Sequence, residues 1–155
     1  MRLQTSPNAW SCLPTSLAMV IDKPLKDIIT VLGHDGSEIL WPNIEKPDCY
    51  RSFTIPEMVF VALHFGYCLL EVIDSVTIQP TSECEEKIIF LPTKNFTNTL
   101  LKEYNALLLG ESENGVPHAV AWNCKRHVIF DPRGCRISCS LFKTEYVFIV
   151  IPICK

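Results

Sequence analysis

A cysteine stands where a polar segment gives way to a helical pattern. Cys12 lies in the segment WSCLPTSLAMV, and apolar residues at helical spacing follow it. Pro14 suits a first helical turn, which has no use for the donor that proline lacks. The unpaired N–H groups and positive dipole end of a helix N-terminus favour a thiolate and can hold an oxyanion beside it. The position therefore favours a nucleophile; the alternative is a small buried core cysteine.

A histidine and an aspartate near the end of the chain form a second chemical pair. They lie in GVPHAVAWNCKRHVIFDPRG, where two aliphatic strands flank a turn. If Cys124 and Lys125 form a two-residue turn, His118 and Asp131 are cross-strand partners, and a four-residue loop keeps them on one face. A carboxylate beside an imidazole fixes its tautomer, as nucleophilic catalysis requires. Each residue alone could be a structural strand histidine or a turn-initiating Asp-Pro. With the upstream thiol, they predict a Cys-His-Asp site.

The order of these residues resembles a known superfamily. Gln4, Cys12, His118 and Asp131, with CxPTSLAM at the thiol, HAV at the histidine and DP at the aspartate, are similar to papain-like proteins, and most of all to C39-like cysteine peptidases. The likeness covers about residues 4–132. It implies a papain-like fold with Cys12 as nucleophile, His118 as general base, Asp131 as the residue that orients the histidine, and Gln4 as oxyanion donor.

The sequence also departs from the family pattern. Leu13 directly follows the cysteine, where the family usually has glycine. Because the separation of Gln4 from the cysteine is slightly long, Asn8 is a second candidate for the oxyanion donor. Asn123 is a second candidate to orient the histidine, ranked below Asp131 because strand alternation puts it on the opposite face.

The elements that must position these residues run from helices to strands. Helices are predicted at about 23–32, 55–65 and 94–104, besides the one after the cysteine, and strands at 67–73, 88–91, 106–109, 118–123, 126–131 and 146–151. This order predicts an α+β fold, with N-terminal helices packed on a mainly antiparallel sheet, in a single domain spanning residues 1–155.

The segment from His34 to Phe53 contains no predicted helix or strand. Loops of this length inside a compact domain are usually functional or mobile. We therefore expect a lid on the substrate side, with Trp41 and Tyr50 as candidate anchors.

Composition limits the partners of the chain. It has 155 residues, 48% of them hydrophobic, and a net charge of -3 with no basic stripe, so nucleic acid is not an expected partner. The longest apolar stretch, residues 58–73, is too short and interrupted for a membrane span. The polar N-terminus is not a signal peptide. We expect a cytoplasmic monomer whose eight cysteines are thiols.

Two segments have some metal-ligand character. Cys124 and His127, followed by Cys135 and Cys139, have a spacing loosely compatible with zinc, but the first two flank a tight hairpin. The segment that begins at His34 is typical of a polar turn after a helix. We therefore expect no metal and no cofactor.

These residues predict acyl transfer through a thioester on Cys12. Water as acceptor gives a peptidase or amidase acting on a peptide or protein substrate. An amine acceptor gives a transglutaminase or acyltransferase, and a deamidase is a further possibility on the same residues. A non-catalytic binding or inhibitor module and a zinc-binding adaptor are the alternatives from other classes.

Overall fold

The computed structural model describes residues 1–38, 51–72, 93–138 and 141–153. Within these ranges the helices are α1 (Cys12–Val20), α2 (Leu25–Leu32), α3 (Ile55–His64) and α4 (Thr93–Glu103), and the strands are β1 (Tyr67–Val72), β2 (Ala106–Ser112), β3 (Pro117–Asn123), β4 (Val128–Asp131), β5 (Cys135–Ile137) and β6 (Phe142–Pro152).

The six strands form one sheet in the order β1-β6-β2-β3-β4-β5. Every neighbouring pair is antiparallel. The predicted α+β class with an antiparallel sheet is thereby confirmed. The predicted strand at 88–91 lies outside the described residues.

Helices pack against both faces of the sheet. Since strand side chains alternate between faces, Ala121, Phe130 and Val150 contact the cluster built by α1, α2 and α3. Their neighbours Trp122, Ile129 and Ile149 contact the opposite cluster, where α4 contributes Leu100 and Leu101. The site residues of α1 therefore lie on one face of the sheet and α4 covers the other.

Local signals explain where α2 and α3 begin and end. Helix α2 ends at Gly33, whose φ of 75° is the left-handed conformation that glycine adopts without strain. Helix α3 begins with a capping box, in which the Thr54 hydroxyl accepts from Glu57 N and the Glu57 carboxylate accepts from Thr54 N. The helices predicted at 23–32, 55–65 and 94–104 are confirmed to within two residues.

The hairpin between β3 and β4 differs from the two-residue turn considered from the sequence. Asn123 pairs with Val128, so residues 124–127 form a four-residue turn. His127 adopts a φ of 51° there, a conformation uncommon for a residue with a side chain. The register shifts by two residues, which makes His118 a diagonal neighbour of Asp131 on the same face rather than a direct partner.

Strand β6 is longer than predicted, and β5 was not predicted. The pairing of β2 with β6 has a bulge at Leu109 and Gly110, opposite Glu145. The bulge interrupts the alternation of apolar and polar residues, so the sequence pattern did not indicate a strand at residues 142–145. No helix in the described ranges is long and apolar enough to cross a membrane.

Candidate active site

The start of α1 presents the thiol of Cys12. Ser11 occupies the N-cap position without capping the helix; its hydroxyl donates instead to Asn8 Oδ1, at 2.6 Å. Asn8 Oδ1 also accepts from Trp10 N at 3.2 Å, which fixes the turn before the cysteine. No side chain caps the helix start, and the Leu13 backbone N–H is among the groups that lower the pKa of the Cys12 thiol.

Strand β3 brings His118 to this thiol. The Cys12 thiol lies in one cleft with the His118 imidazole and the Ala119 backbone, and the interaction between the two side chains shifts the pKa of both. Ser16, one turn further along α1, donates from Oγ to Ala119 O at 2.9 Å. This buried bond fixes α1 against β3 at the residue next to the histidine. It thereby holds Cys12 close to His118, although 106 positions separate the two residues in the sequence.

Asp131 holds the other side of the imidazole. His118 Nε2 lies 3.0 Å from Asp131 Oδ1, and the Asp131 side chain has no exposed surface. An ionised carboxylate only accepts hydrogen bonds, so Nε2 carries a proton and Nδ1 is the ring nitrogen left for the thiol. The structure thus brings together Cys12, His118 and Asp131 in the order that the sequence predicted.

Arg133 is a fourth member of the arrangement that sequence reasoning missed. Its guanidinium donates to Asp131 Oδ2 from Nε at 3.0 Å and from Nη2 at 2.7 Å. Its backbone N donates to Asp131 Oδ1 at 2.7 Å. The carboxylate therefore has donors on both oxygens, and its plane is fixed before it meets the histidine.

The pKa values of the three residues shift in the directions that an ion pair requires. Burial raises the pKa of the Cys12 thiol, but the hydrogen bond and charge of His118 and the Ala119 backbone lower it to below its usual value. Burial lowers the pKa of His118, and contacts with Cys12 and Asp131 raise it above its usual value. Burial raises the pKa of Asp131, but hydrogen bonds from Arg133 and then from His118 lower it to below its usual value.

The thiol opens into a cleft of about 500 Å³. Its walls are largely aromatic and aliphatic, with Glu145 as the only acidic side chain among the described lining residues; the others include Trp10, Leu13, Phe53, Leu109, Pro117 and Tyr146. Gly110 lies at the β2 bulge in this cleft, where a Cβ would collide with the backbone of Lys143. The bulge requires glycine at that position.

The end of the long loop lines the cleft with Ser52 and Phe53, and its beginning contacts residues of the cleft wall. The indole of Trp10 donates to Asp35 O at 3.1 Å, which ties the loop to the residues before the cysteine. His34 Nε2 lies 3.0 Å from Glu57 Oε1, and its ring stacks on Phe53 at 5.1 Å between centroids. The predicted anchors Trp41 and Tyr50 lie outside the described residues.

Gln4 does not reach the thiol, and its assignment as oxyanion donor is wrong in this structure. Its Nε2 donates to Lys23 O at 2.7 Å and its Oε1 accepts from Leu25 N at 2.9 Å. Both ends of the amide therefore tie the N-terminal segment to the start of α2. Gln4 lines a different cleft, beside Asp22 and Pro24.

The structure excludes one of the two alternatives from the sequence and leaves Asn8 as a candidate. Asn8 lies in the turn that leads into α1, and its Oδ1 is occupied by Ser11 and Trp10. Its amide nitrogen has no partner among the described residues, whereas the nearer side-chain donors of Ser11 and Trp10 are engaged with Asn8 Oδ1 and Asp35 O. Asn123 is excluded as the orienting residue, since its Oδ1 accepts from Arg126 N inside the hairpin turn at 3.1 Å.

No metal cluster accompanies the site in the described part of the chain. Cys124 is buried and Cys135 is exposed, while Cys139 lies outside the described residues. His34, the other candidate ligand, uses Nδ1 to accept from Gly36 N at 3.1 Å and Nε2 to bond Glu57. Both of its ring nitrogens are therefore occupied within the protein.

Comparison with known proteins adds nothing to this geometry. Neither a protein-family model nor a curated protein matches the sequence. The case for a function consequently depends on the chemistry of the assembled residues.

Proposed function

We propose that this protein is a cysteine peptidase or amidase that acts on a peptide or protein substrate through a thioester on Cys12. The observation that carries the proposal is the chain of contacts from the Cys12 thiol through His118 to the fully buried Asp131. Structural cysteines are usually inert and lack a partner of this kind. A thiol at a helix start, beside a histidine that a carboxylate orients, matches the requirement for nucleophilic catalysis.

The proposed reaction has two halves. The Cys12 thiolate attacks the substrate carbonyl carbon, and the carbonyl oxygen becomes an oxyanion that the Cys12 backbone N–H and the Asn8 side chain stabilise. The C–N bond then breaks as protonated His118 gives its proton to the leaving amine. Water next attacks the thioester while His118 accepts a proton from it, and the C–S bond breaks to return the thiol and a carboxylic acid.

We also propose that the fold is papain-like and that the nearest family is the C39-like peptidases. The support is the order of nucleophile, histidine and aspartate along the chain together with α1 packed on an antiparallel sheet. A reducing compartment protects a catalytic thiol from oxidation, so a cytoplasmic location fits this proposal. The proposed chemistry uses water and groups of the protein itself, and it calls for neither a metal nor a cofactor.

The proposal is tested by incubating peptides from a cell extract with the protein in water enriched in ¹⁸O. A hydrolase creates new chain ends whose C-terminal carboxyl groups carry ¹⁸O, and mass spectrometry identifies them. We expect such products from the wild-type chain and none from Cys12→Ala or His118→Ala. Cys68→Ser is the matched control, since Cys68 is an exposed thiol on β1, remote from the cleft in sequence and structure.

The same experiment separates the alternatives. Amine adducts without cleavage indicate a transferase, and glutamate labelled with ¹⁸O at former glutamine positions indicates a deamidase. Peptides that remain unchanged with folded wild-type protein, together with a thiol that does not react with an electrophilic peptide probe, would support the non-catalytic module and overturn the enzyme.

A further inference from the structure

A second cavity, of about 490 Å³, lies between α4 and the sheet. Its volume is within the range of small-molecule sites. Glu145, on the β6 bulge, is the one residue that lines both this cavity and the catalytic cleft in the described part of the chain. The cavity therefore adjoins the catalytic cleft but uses a different set of side chains.

The inner wall of this cavity is apolar. Its sheet side is formed by Leu108, Trp122, Ile129 and Val147, and its helix side by Leu101. The indole of Trp122 donates to the carbonyl of Leu101 at 2.6 Å and so fixes α4 above the sheet. With its one donor occupied, the indole offers the cavity only an apolar surface.

One polar group in the wall of the cavity has no partner among the described residues. Thr97 is only 7% exposed, and its Oγ1 is a buried oxygen without a hydrogen bond among the described residues. A threonine within a helix usually bonds the carbonyl one turn before it, and buried hydroxyls are otherwise nearly always satisfied. The Thr97 side chain lines the cavity while its hydroxyl oxygen is shielded, and rotation of this side chain would present the hydroxyl to a ligand with a polar head.

The residues at the rim of the cavity indicate which charge the polar head of a ligand should carry. Asn98 and Lys102 lie one turn apart on α4 at the rim, and both supply donors. Lys102 forms no ion pair with the described residues. Glu145, on the other side of the rim, lies 3.8 Å from the ammonium of Lys143, whose closer partner is Glu111 at 2.9 Å. The α4 side of the rim, which carries Thr97, is therefore the positive side.

We propose that this cavity is a binding site for a small amphipathic carboxylate, with the apolar body against Trp122 and the carboxylate on Thr97 and Lys102. The inference does not depend on catalysis by Cys12. It holds whether or not the protein proves to be a peptidase.

The test uses decanoate below its micelle concentration as the probe, with decylamine as the probe of opposite charge. Binding is measured by calorimetry on the whole chain and on Cys12→Ala, which isolates it from the catalytic thiol. We expect decanoate to bind both proteins equally and decylamine to bind at least tenfold more weakly. Nuclear Overhauser contacts between the decanoate chain and the Trp122 indole locate the site.

Substitutions on α4 identify the groups that hold the head. Thr97→Val keeps the shape and removes the hydroxyl; we expect at least a tenfold loss of decanoate affinity with an unchanged or higher melting temperature. Lys102→Gln should also weaken decanoate about tenfold. Thr99→Val, on the same helix outside the cavity, is the matched control. Failure of decanoate to bind, equal binding of both probes, or unchanged affinity of Thr97→Val would overturn the proposal.

Discussion

Replacing Arg133 separates the positioning of the histidine from its chemistry. Arg133→Ala removes both donors from Asp131 Oδ2 and leaves the backbone bond to Oδ1 in place. The carboxylate can then rotate, and one of its oxygens is buried without a partner. Arg133→Lys is the matched variant, because it restores a positive charge but not the two parallel bonds.

The structure sets the expected magnitudes. An unsatisfied buried acceptor costs about 1–3 kcal/mol in the free energy of unfolding, and we expect the lower half of that range because Arg133 is 54% exposed and its charge is screened. Because His118 is then positioned less firmly, kcat/KM should fall by about ten- to a hundredfold. Arg133→Lys should recover part of both losses.

The pH profile distinguishes a positioning role from a merely structural one. Removing a cation near the imidazolium raises the pKa of His118 further, so the basic limb of the kcat/KM profile should move to higher pH in Arg133→Ala. The contribution of Asp131 to the free energy of unfolding changes instead at acidic pH. Because the pKa of Asp131 in the folded protein is below its ordinary value, its contribution is present above about pH 4 and is lost as the pH falls through the folded pKa.

The assay combines single-turnover acylation by an activated ester between pH 5 and 10 with urea unfolding at pH 7 and pH 3. The stability difference between wild type and Arg133→Ala should shrink at pH 3. A folded Arg133→Ala with wild-type kcat/KM and an unmoved basic limb would refute the positioning role.

Three further predictions concern the rest of the site. Cys12 should react with iodoacetamide well below the ordinary thiol pKa of about 8.5, because its pKa is lowered, whereas exposed Cys68 should follow an ordinary profile; coincident profiles would contradict an activated thiol. Asn8→Ala should lower the acylation rate by about 10²–10³, as loss of one oxyanion donor does, while Gln4→Ala should lower only the melting temperature; the reverse order would restore Gln4 as oxyanion donor. Gly110→Ala should destabilise the fold by about 3 kcal/mol in urea unfolding because the added Cβ meets backbone, and an unchanged midpoint would show that the bulge tolerates a side chain.

Residue types became predictive of the three residues at the thiol only in combination. Each has an ordinary structural explanation alone, but a thiol before a helix with a histidine and an aspartate on two paired strands is what nucleophilic catalysis requires. Alternation along the hairpin also placed His118 and Asp131 on one face, although the turn has four residues instead of two. The parity of the register determines the face, so the shift by two residues did not affect the prediction.

Side-chain direction is what the sequence could not supply. Gln4 has the right type and order, but its amide faces the start of α2, and nothing in its spacing reveals that. Arg133 did leave a signal, because an aspartate that accepts from the backbone N two residues later brings an arginine at that position close to its own carboxylate. The sequence predicts this turn only when Asp131, Pro132 and Arg133 are considered together.

The site is held together by backbone pairing as much as by its side chains. Thr5 pairs with Arg133 as an isolated bridge, and Ser6 N donates to Pro132 O at 2.7 Å. The segment that leads to the thiol is thus bonded directly to the turn that carries the aspartate. Gly134, with a φ of 87°, lies in the same turn, where a Cβ would be 3.0 Å from Thr5 Oγ1.

These bonds explain how three distant parts of the chain can hold a geometry that catalysis needs. The N-terminal segment and the β4 turn are one unit through Thr5, and α1 and β3 are another through Ser16 and Ala119. The two units meet at the hydrogen bond between His118 and Asp131. Since each unit is fixed by contacts that do not involve the thiol, the imidazole is oriented before any substrate arrives, which is the condition for an efficient general base.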